Sequence, residues 1–114
     1  MNNSIKSIII LLFASSSSLL FGQKAIETSF SVSGVCQMCE KRIEGAVDVK
    51  GVKTADYDLN SQTLTLVYNP KHISEDKIHL LLNEVGHDTE KSKATDEQYN
   101  SVHQCCKYRE DEDR

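Results

Sequence analysis

The chain has no tryptophan, one proline and only five glycines among its 114 residues. These glycines form no closely spaced loop of the kind that cradles phosphates in nucleotide-binding proteins. We find no set of residues typical of a serine nucleophile with its base. The carboxylates are scattered along the chain, as expected of a solvated surface. These absences argue against an enzyme.

Long apolar runs are also missing, since the run at residues 8–14 is interrupted by four serines at 15–18. A membrane-spanning helix needs about 20 predominantly apolar residues. With Lys6 before the run, the pattern is typical of a cleaved secretory signal. We predict a signal peptide over residues 1–22 and a periplasmic or secreted mature chain without stable membrane insertion. The alternative is an uncleaved N-terminal anchor.

Acidic side chains outnumber basic ones, 17 against 13, for a net charge of −4. Cleavage after Gly22 would remove Lys6 and no acid, which leaves 12 basic against 17 acidic side chains and a charge of −5. This balance argues against nucleic acid as a partner. The mature length suggests one small domain.

Alternating apolar residues predict strands over residues 28–35, 52–59 and 63–68. The short polar link between the last two indicates a hairpin. A fourth strand, over residues 87–93, is only weakly indicated because that segment is polar.

Two amphipathic helices are predicted between these strands. The first begins at Cys39 and ends at Gly51, and the second is capped by Ser74 and stopped by Gly86. The order βαββαβ indicates a ferredoxin-like α+β fold, an antiparallel sheet with two helices on one face.

Residues beyond this unit form a separate element. Thr95 and Gln98 fit a capping box, so residues 94–108 are predicted to form a helical extension that carries two further cysteines. Residues 109–114 contain no apolar side chain and are predicted to be disordered.

Cys36 and Cys39 form a CxxC motif at the junction of the first strand and the first helix. Because a helix N-terminus carries a partial positive charge, it favours the metal-binding thiolate form. With Gly34 and the segments 41–44, 51–52, 58–60 and 86–89, the motif resembles the heavy-metal-associated domain family.

This resemblance assigns residues 23–93 to a heavy-metal-associated domain. The family includes copper chaperones, N-terminal modules of copper-exporting ATPases and periplasmic mercuric-ion-binding proteins. It implies that Cys36 and Cys39 hold the metal. The family commonly carries Gly-Met-x-Cys-x-x-Cys, whereas only Val35 separates Gly34 from Cys36 here, so the loop is one residue shorter and lacks the methionine.

Two thiolates suit Cu(I) first and Hg(II) second, since both are soft ions that accept few ligands, while Zn(II) wants four. We predict binding and transfer, or scavenging, of such an ion. The partner would be another dithiol protein, such as an efflux ATPase or transporter, that docks transiently. The alternatives are a thiol–disulfide redox protein and a structural CxxC disulfide.

Three more residues are candidate ligands. Cys105 and Cys106 could form a second site, join the CxxC in a shared site, or be disulfide-bonded, and Cys106 suits a buried helix face. His87 could supply a third ligand or be a solvated loop residue. His72 and His79 are predicted to be solvated.

The redox alternative leads to a direct test. We expect the reduced protein not to reduce insulin disulfides, because the predicted order of strands and helices differs from that of thioredoxin-like proteins and no tryptophan is present. Turbidity of precipitating insulin chains measures this. Reduction of insulin at enzyme-like rates would favour the thiol–disulfide redox function over metal binding.

Overall fold

The computed structural model describes residues 25–112, without the side chains of residues 111 and 112. The predicted signal peptide, residues 1–22, lies outside this part of the chain. In the described part, no helix has the length and apolar character needed to cross a membrane.

Three antiparallel strands form the sheet, in the order β1-β3-β2. They are β1 (Ile26–Ser31), β2 (Val52–Asp58) and β3 (Thr63–Tyr68). The hairpin is confirmed, with Asp58 paired to Thr63. Alternate side chains of β3 are buried, so one face of the sheet covers the core. The buried side chains of the sheet are Phe30, Tyr57, Leu64, Leu66 and Tyr68.

Two helices cover this face, α1 (Gln37–Ala46) and α2 (Glu75–Glu84). Helix α1 begins two residues before the predicted start and ends at Ala46, not at Gly51. The predicted cap of α2 is confirmed, because the Ser74 hydroxyl accepts from the backbone N–H of Lys77 at 3.1 Å. The helices bury one apolar stripe each in the common core: Cys39, Ile43, Ile78 and Leu82.

The predicted fourth strand is reduced to one bridge, between Val32 and Thr89, in the described part of the chain. The Ser33 N–H donates to the Asp88 carbonyl and the Glu90 N–H to the Ser31 carbonyl, at 2.9 and 3.0 Å. Beyond Glu90 the chain turns away, since the polar residues that follow bond within a local turn. The sheet therefore stays open, and the fold is the predicted ferredoxin-like α+β arrangement.

The predicted helical extension over residues 94–108 is helical but divided into short elements. The extension consists of α3 (Asp96–Asn100), a 3-10 turn (Gln104–Cys106) and α4 (Tyr108–Glu112). The capping box is confirmed, with both reciprocal hydrogen bonds present at Thr95 and Gln98. Breaking the helix lets separate short turns bury the apolar residues of this segment in the common core: Tyr99, Val102, Cys106 and Tyr108.

Residues 109–114 were predicted to be disordered, but α4 includes residues 109–112; residues 113 and 114 lie outside the described part of the chain. The Arg109 guanidinium donates to both carboxylate oxygens of Asp88, at 3.1 and 2.8 Å, and to the carbonyl of Ala94 at 2.8 Å. It also lies 4.4 Å from the centre of the Tyr99 ring. A charged side chain thus anchors a segment that has no apolar one.

His79 is buried, against the prediction that it is solvated. Its ring lies 4.1 Å from that of Phe30, and Nδ1 is 2.6 Å from the Thr89 hydroxyl. His72 is exposed, as predicted.

Gly86 should be essential for stability. Its φ is +97°, and a Cβ there would lie 2.5 Å from Val102 Cγ1 and 2.7 Å from the Gln98 carbonyl oxygen. We expect Gly86→Ala to lower the free energy of unfolding by at least about 2 kcal/mol, measured by chemical denaturation.

Gly45→Ala is the matched control, since no atom lies within 4 Å of a Cβ at this exposed position of α1. It should raise the free energy of unfolding by up to about 1 kcal/mol. Equal effects of the two substitutions would contradict this account of Gly86.

Candidate metal centre

The CxxC cysteines lie at the start of α1. Cys36 is the N-cap residue, with extended backbone (φ −147°, ψ 168°), and Cys39 lies in the first turn. Their Sγ atoms are 3.3 Å apart. Cys36 is partly exposed and Cys39 is fully buried. One thiol is therefore accessible from outside while the other faces the core.

The loop before Cys36 is held by β2 and the β2–β3 link. The Tyr57 hydroxyl donates to the Val32 carbonyl at 2.6 Å. The Gln62 side-chain oxygen accepts from the Gly34 N–H at 3.3 Å, and its carbonyl accepts from the Val32 N–H at 2.9 Å. A Cβ on Gly34 would lie 2.7 Å from the Tyr57 hydroxyl, so glycine is required for this close approach.

His87 holds the same loop from the other side. It is fully buried, stacks on Tyr108 with ring centres 5.5 Å apart, and places Nδ1 2.8 Å from the Ser33 carbonyl oxygen. Burial lowers its pKa, so the ring is neutral and Nδ1–H is the donor. Nε2 is buried with no hydrogen-bond partner among the described residues. His87 therefore contacts the loop backbone, and its nitrogens do not join the sulfur cluster described next.

The structure brings the C-terminal cysteines to the CxxC motif. Cys36 Sγ lies 3.1 Å from Cys106 Sγ and 3.0 Å from Cys105 Sγ. The sulfurs of Cys36, Cys39 and Cys106 all lie within 4.8 Å of one another. Cys105 is exposed, lies outside this group of three, and places its sulfur 3.6 Å from Met38 Sδ. Four thiols thus converge on one end of α1, and such a set of soft donors fits a soft metal ion.

The four thiols differ in acidity. Burial alone would raise the pKa of Cys36, but the thiols of Cys105 and Cys106 and the polar groups of Cys39 lower it to about 7. Burial raises the pKa of Cys39 and that of Cys106. The hydrogen bond to Cys36 raises the pKa of Cys105. Cys36 is therefore the thiol that ionises first.

Sequence reasoning missed the residues that position this centre. Tyr57 was expected only as an apolar residue of a strand face, and Gln62 only as part of a polar link. Tyr108 and Arg109 lie where the extension was thought to end. The sequence signal for this anchoring is the pair Tyr108–Arg109, since a large aromatic residue in an otherwise polar tail indicates that the segment packs against the domain.

The acidity of Cys36 predicts a pH profile for alkylation by iodoacetamide. Because the thiolate is the nucleophile, modification of Cys36 should reach half its maximal rate near pH 7. Cys105, whose pKa is raised by its hydrogen bond to Cys36, should react only at higher pH. Peptide mapping by mass spectrometry separates the two sites. One common midpoint for both thiols would contradict this order of acidity.

The model of the family described as "Heavy-metal-associated domain" matches residues 29–88. The match is more than half of the chain and includes Cys36, Cys39 and His87, but it ends before Cys105 and Cys106. No curated protein matches the chain.

Solved structures share the fold. The chain is 21% identical to a structure titled "CopZ metallochaperone", over 56% of this chain and 98% of that one, with a TM-score of 0.54. It is 27% identical to the N-terminal domain of a potential copper-translocating P-type ATPase from Bacillus subtilis in the Cu(I)-loaded state (57% and 84% covered, TM-score 0.55). Oxidized MerP from Ralstonia metallidurans CH34 is 19% identical (58% and 94% covered, TM-score 0.55).

The matched region contains the strand, the CxxC motif and both helices that carry the predicted resemblance. The chain belongs to the heavy-metal-associated domain family.

Proposed function

We propose that this protein is exported, binds Cu(I) through Cys36 and Cys39, and passes the ion to another dithiol protein. One observation carries the proposal. In a heavy-metal-associated domain, two thiols 3.3 Å apart occupy the N-terminus of α1, one of them partly exposed. Under this proposal the chain acts by binding and not by catalysis.

The choice of metal follows from the donor atoms. Every candidate ligand in the described cluster is sulfur, and soft thiolates favour Cu(I) over harder divalent ions. Zn(II) prefers four ligands in a tetrahedral arrangement, whereas Cu(I) accepts the two thiolates of Cys36 and Cys39 alone. Hg(II) is the second choice by the same chemistry. The 27% identical ATPase domain, whose structure was determined in a Cu(I)-loaded state, supports copper.

Transfer requires that an incoming thiolate reach the ion before the old bonds break. Cys36 is partly exposed, and the neighbouring Met38 has 45% of its surface exposed, so this end of α1 is accessible. The acidic mature chain suits a partner with a basic docking face. An efflux ATPase or transporter with its own dithiol site fits this description, and scavenging without a partner is the alternative.

Export is part of the proposal because of the sequence of residues 1–22. Lys6, the apolar run at residues 8–14 and the serines that follow are typical of a cleaved signal.

The low pKa of Cys36 favours one second function, thiol–disulfide exchange, which an oxidising compartment would permit.

Native mass spectrometry of the reduced protein with Cu(I), Zn(II) and Hg(II) tests the proposal. We expect Cu(I) to be retained against a competing chelator. The double variant Cys36→Ser, Cys39→Ser should bind it at least about 100-fold more weakly, because two ligands on one rigid helix end act together.

Cys105→Ser is the control, since it removes a thiol that is not in the compact group, and it should still bind Cu(I). Retention of Zn(II) in preference to Cu(I) would refute the copper assignment. Unchanged Cu(I) affinity in the double variant would refute the site.

A further inference from the structure

We propose that Cys106 is a third thiolate ligand, so that Cys36, Cys39 and Cys106 together enclose one soft metal ion. This inference rests on the function proposed above and deepens it. The third ligand comes from residues beyond the region that matches the family model, which ends at residue 88. The extension would therefore convert an open two-sulfur site into a closed three-sulfur site.

The positions of the sulfurs carry the proposal. Cys36 Sγ is 3.3 Å from Cys39 Sγ and 3.1 Å from Cys106 Sγ, and all three sulfurs lie within 4.8 Å of one another. Three sulfurs so close together can all reach one ion placed between them. Cu(I) accepts such a three-coordinate environment, and the soft thiolates match it.

Packing alone does not account for the position of Cys106. A cysteine that only fills the core would be surrounded by apolar atoms. Cys106 is 1% exposed, yet its sulfur contacts that of Cys36, the partly exposed thiol at the start of α1. Its neighbour Cys105 is exposed, and although its sulfur lies 3.0 Å from Cys36 Sγ and 3.9 Å from Cys106 Sγ, it is not in the group of three. The adjacent cysteines therefore have different roles.

The residues that follow Cys106 hold it in place. The Tyr108 hydroxyl donates to the Gly86 carbonyl at 2.6 Å and accepts from the Asp88 N–H at 2.9 Å. Arg109 pairs with Asp88 through two hydrogen bonds. The partners of both side chains, Gly86 and Asp88, lie in the loop after α2. His87 of the same loop contacts the loop that carries Cys36. Since one loop supports both sides of the site, the three sulfurs keep their relative positions.

Binding needs no oxidant or reductant. Three Cu–S bonds form, any protons still on the three sulfurs pass to solvent, and copper remains Cu(I). On transfer to a dithiol partner, the two incoming thiolates form two new Cu–S bonds, the three Cu–S bonds to this chain break, and the freed sulfurs take up protons from solvent; copper stays Cu(I). A third bond must break in this exchange, so the extension slows release and favours retention of the ion.

Copper K-edge X-ray absorption of the reduced protein with one equivalent of Cu(I) tests the coordination directly. We expect three sulfur neighbours in the wild type, three in Cys105→Ser and two in Cys106→Ser. In chelator competition, Cys106→Ser should weaken Cu(I) binding by about 100-fold, as expected when one of several linked contacts is lost. Cys105→Ser should weaken Cu(I) binding much less than Cys106→Ser does.

Two or four sulfur neighbours in the wild type would overturn the proposal, as would a Cys106→Ser variant that matches the wild type. If circular dichroism shows that Cys106→Ser does not fold, the same measurements on Cys106→Ala replace it. The number of sulfur neighbours in the wild type then still tests the third ligand. Failure of the wild type to bind Cu(I) at all would instead refute the proposed function. Two sulfurs with high affinity would leave that function intact and refute only the third ligand.

Discussion

The hydrogen bond from the Tyr57 hydroxyl to the Val32 carbonyl fixes the point at which β1 ends and the cysteine loop begins. It is buried, so water cannot replace it at low cost. Around it, Gln62 binds the backbone of Val32 and Gly34, and His87 binds that of Ser33. The position of Cys36 relative to α1 depends on these contacts.

A second set of contacts brings the C-terminal extension to the same end of the domain. Tyr108 and Arg109 bind the loop after α2, and the 3-10 turn between them and α3 carries Cys106 into the core. The extension thereby becomes part of the domain that it follows. The thiols of one loop thereby come together with those of a second segment about 70 residues away, and both segments are anchored to the same loop after α2.

Much of the fold was predictable because its periodic patterns are clear. The β3 pattern, with Leu64, Leu66 and Tyr68 inward, follows from alternation, and the caps at Ser74 and Thr95 follow from local chemistry. The weak fourth strand was overestimated, since its polar residues bond to one another around Thr89 and Ser92 in place of a full ladder. His79 was predicted to be solvated because its ring is polar. It is buried because its hydrogen bond to the Thr89 hydroxyl compensates the cost of removing the ring from water.

The sequence by itself determined the CxxC motif at a helix start, the family and the order of the elements, because these depend on residues near one another in the chain. Only the tertiary structure decided that Cys106 lies with Cys36 and Cys39 in one compact group, that Cys105 approaches Cys36 from an exposed position, and that His87 binds the loop backbone. Those outcomes depend on contacts between distant segments, such as Arg109 with Asp88. No spacing along the chain encodes them, since the broken extension could have carried its cysteines in several directions.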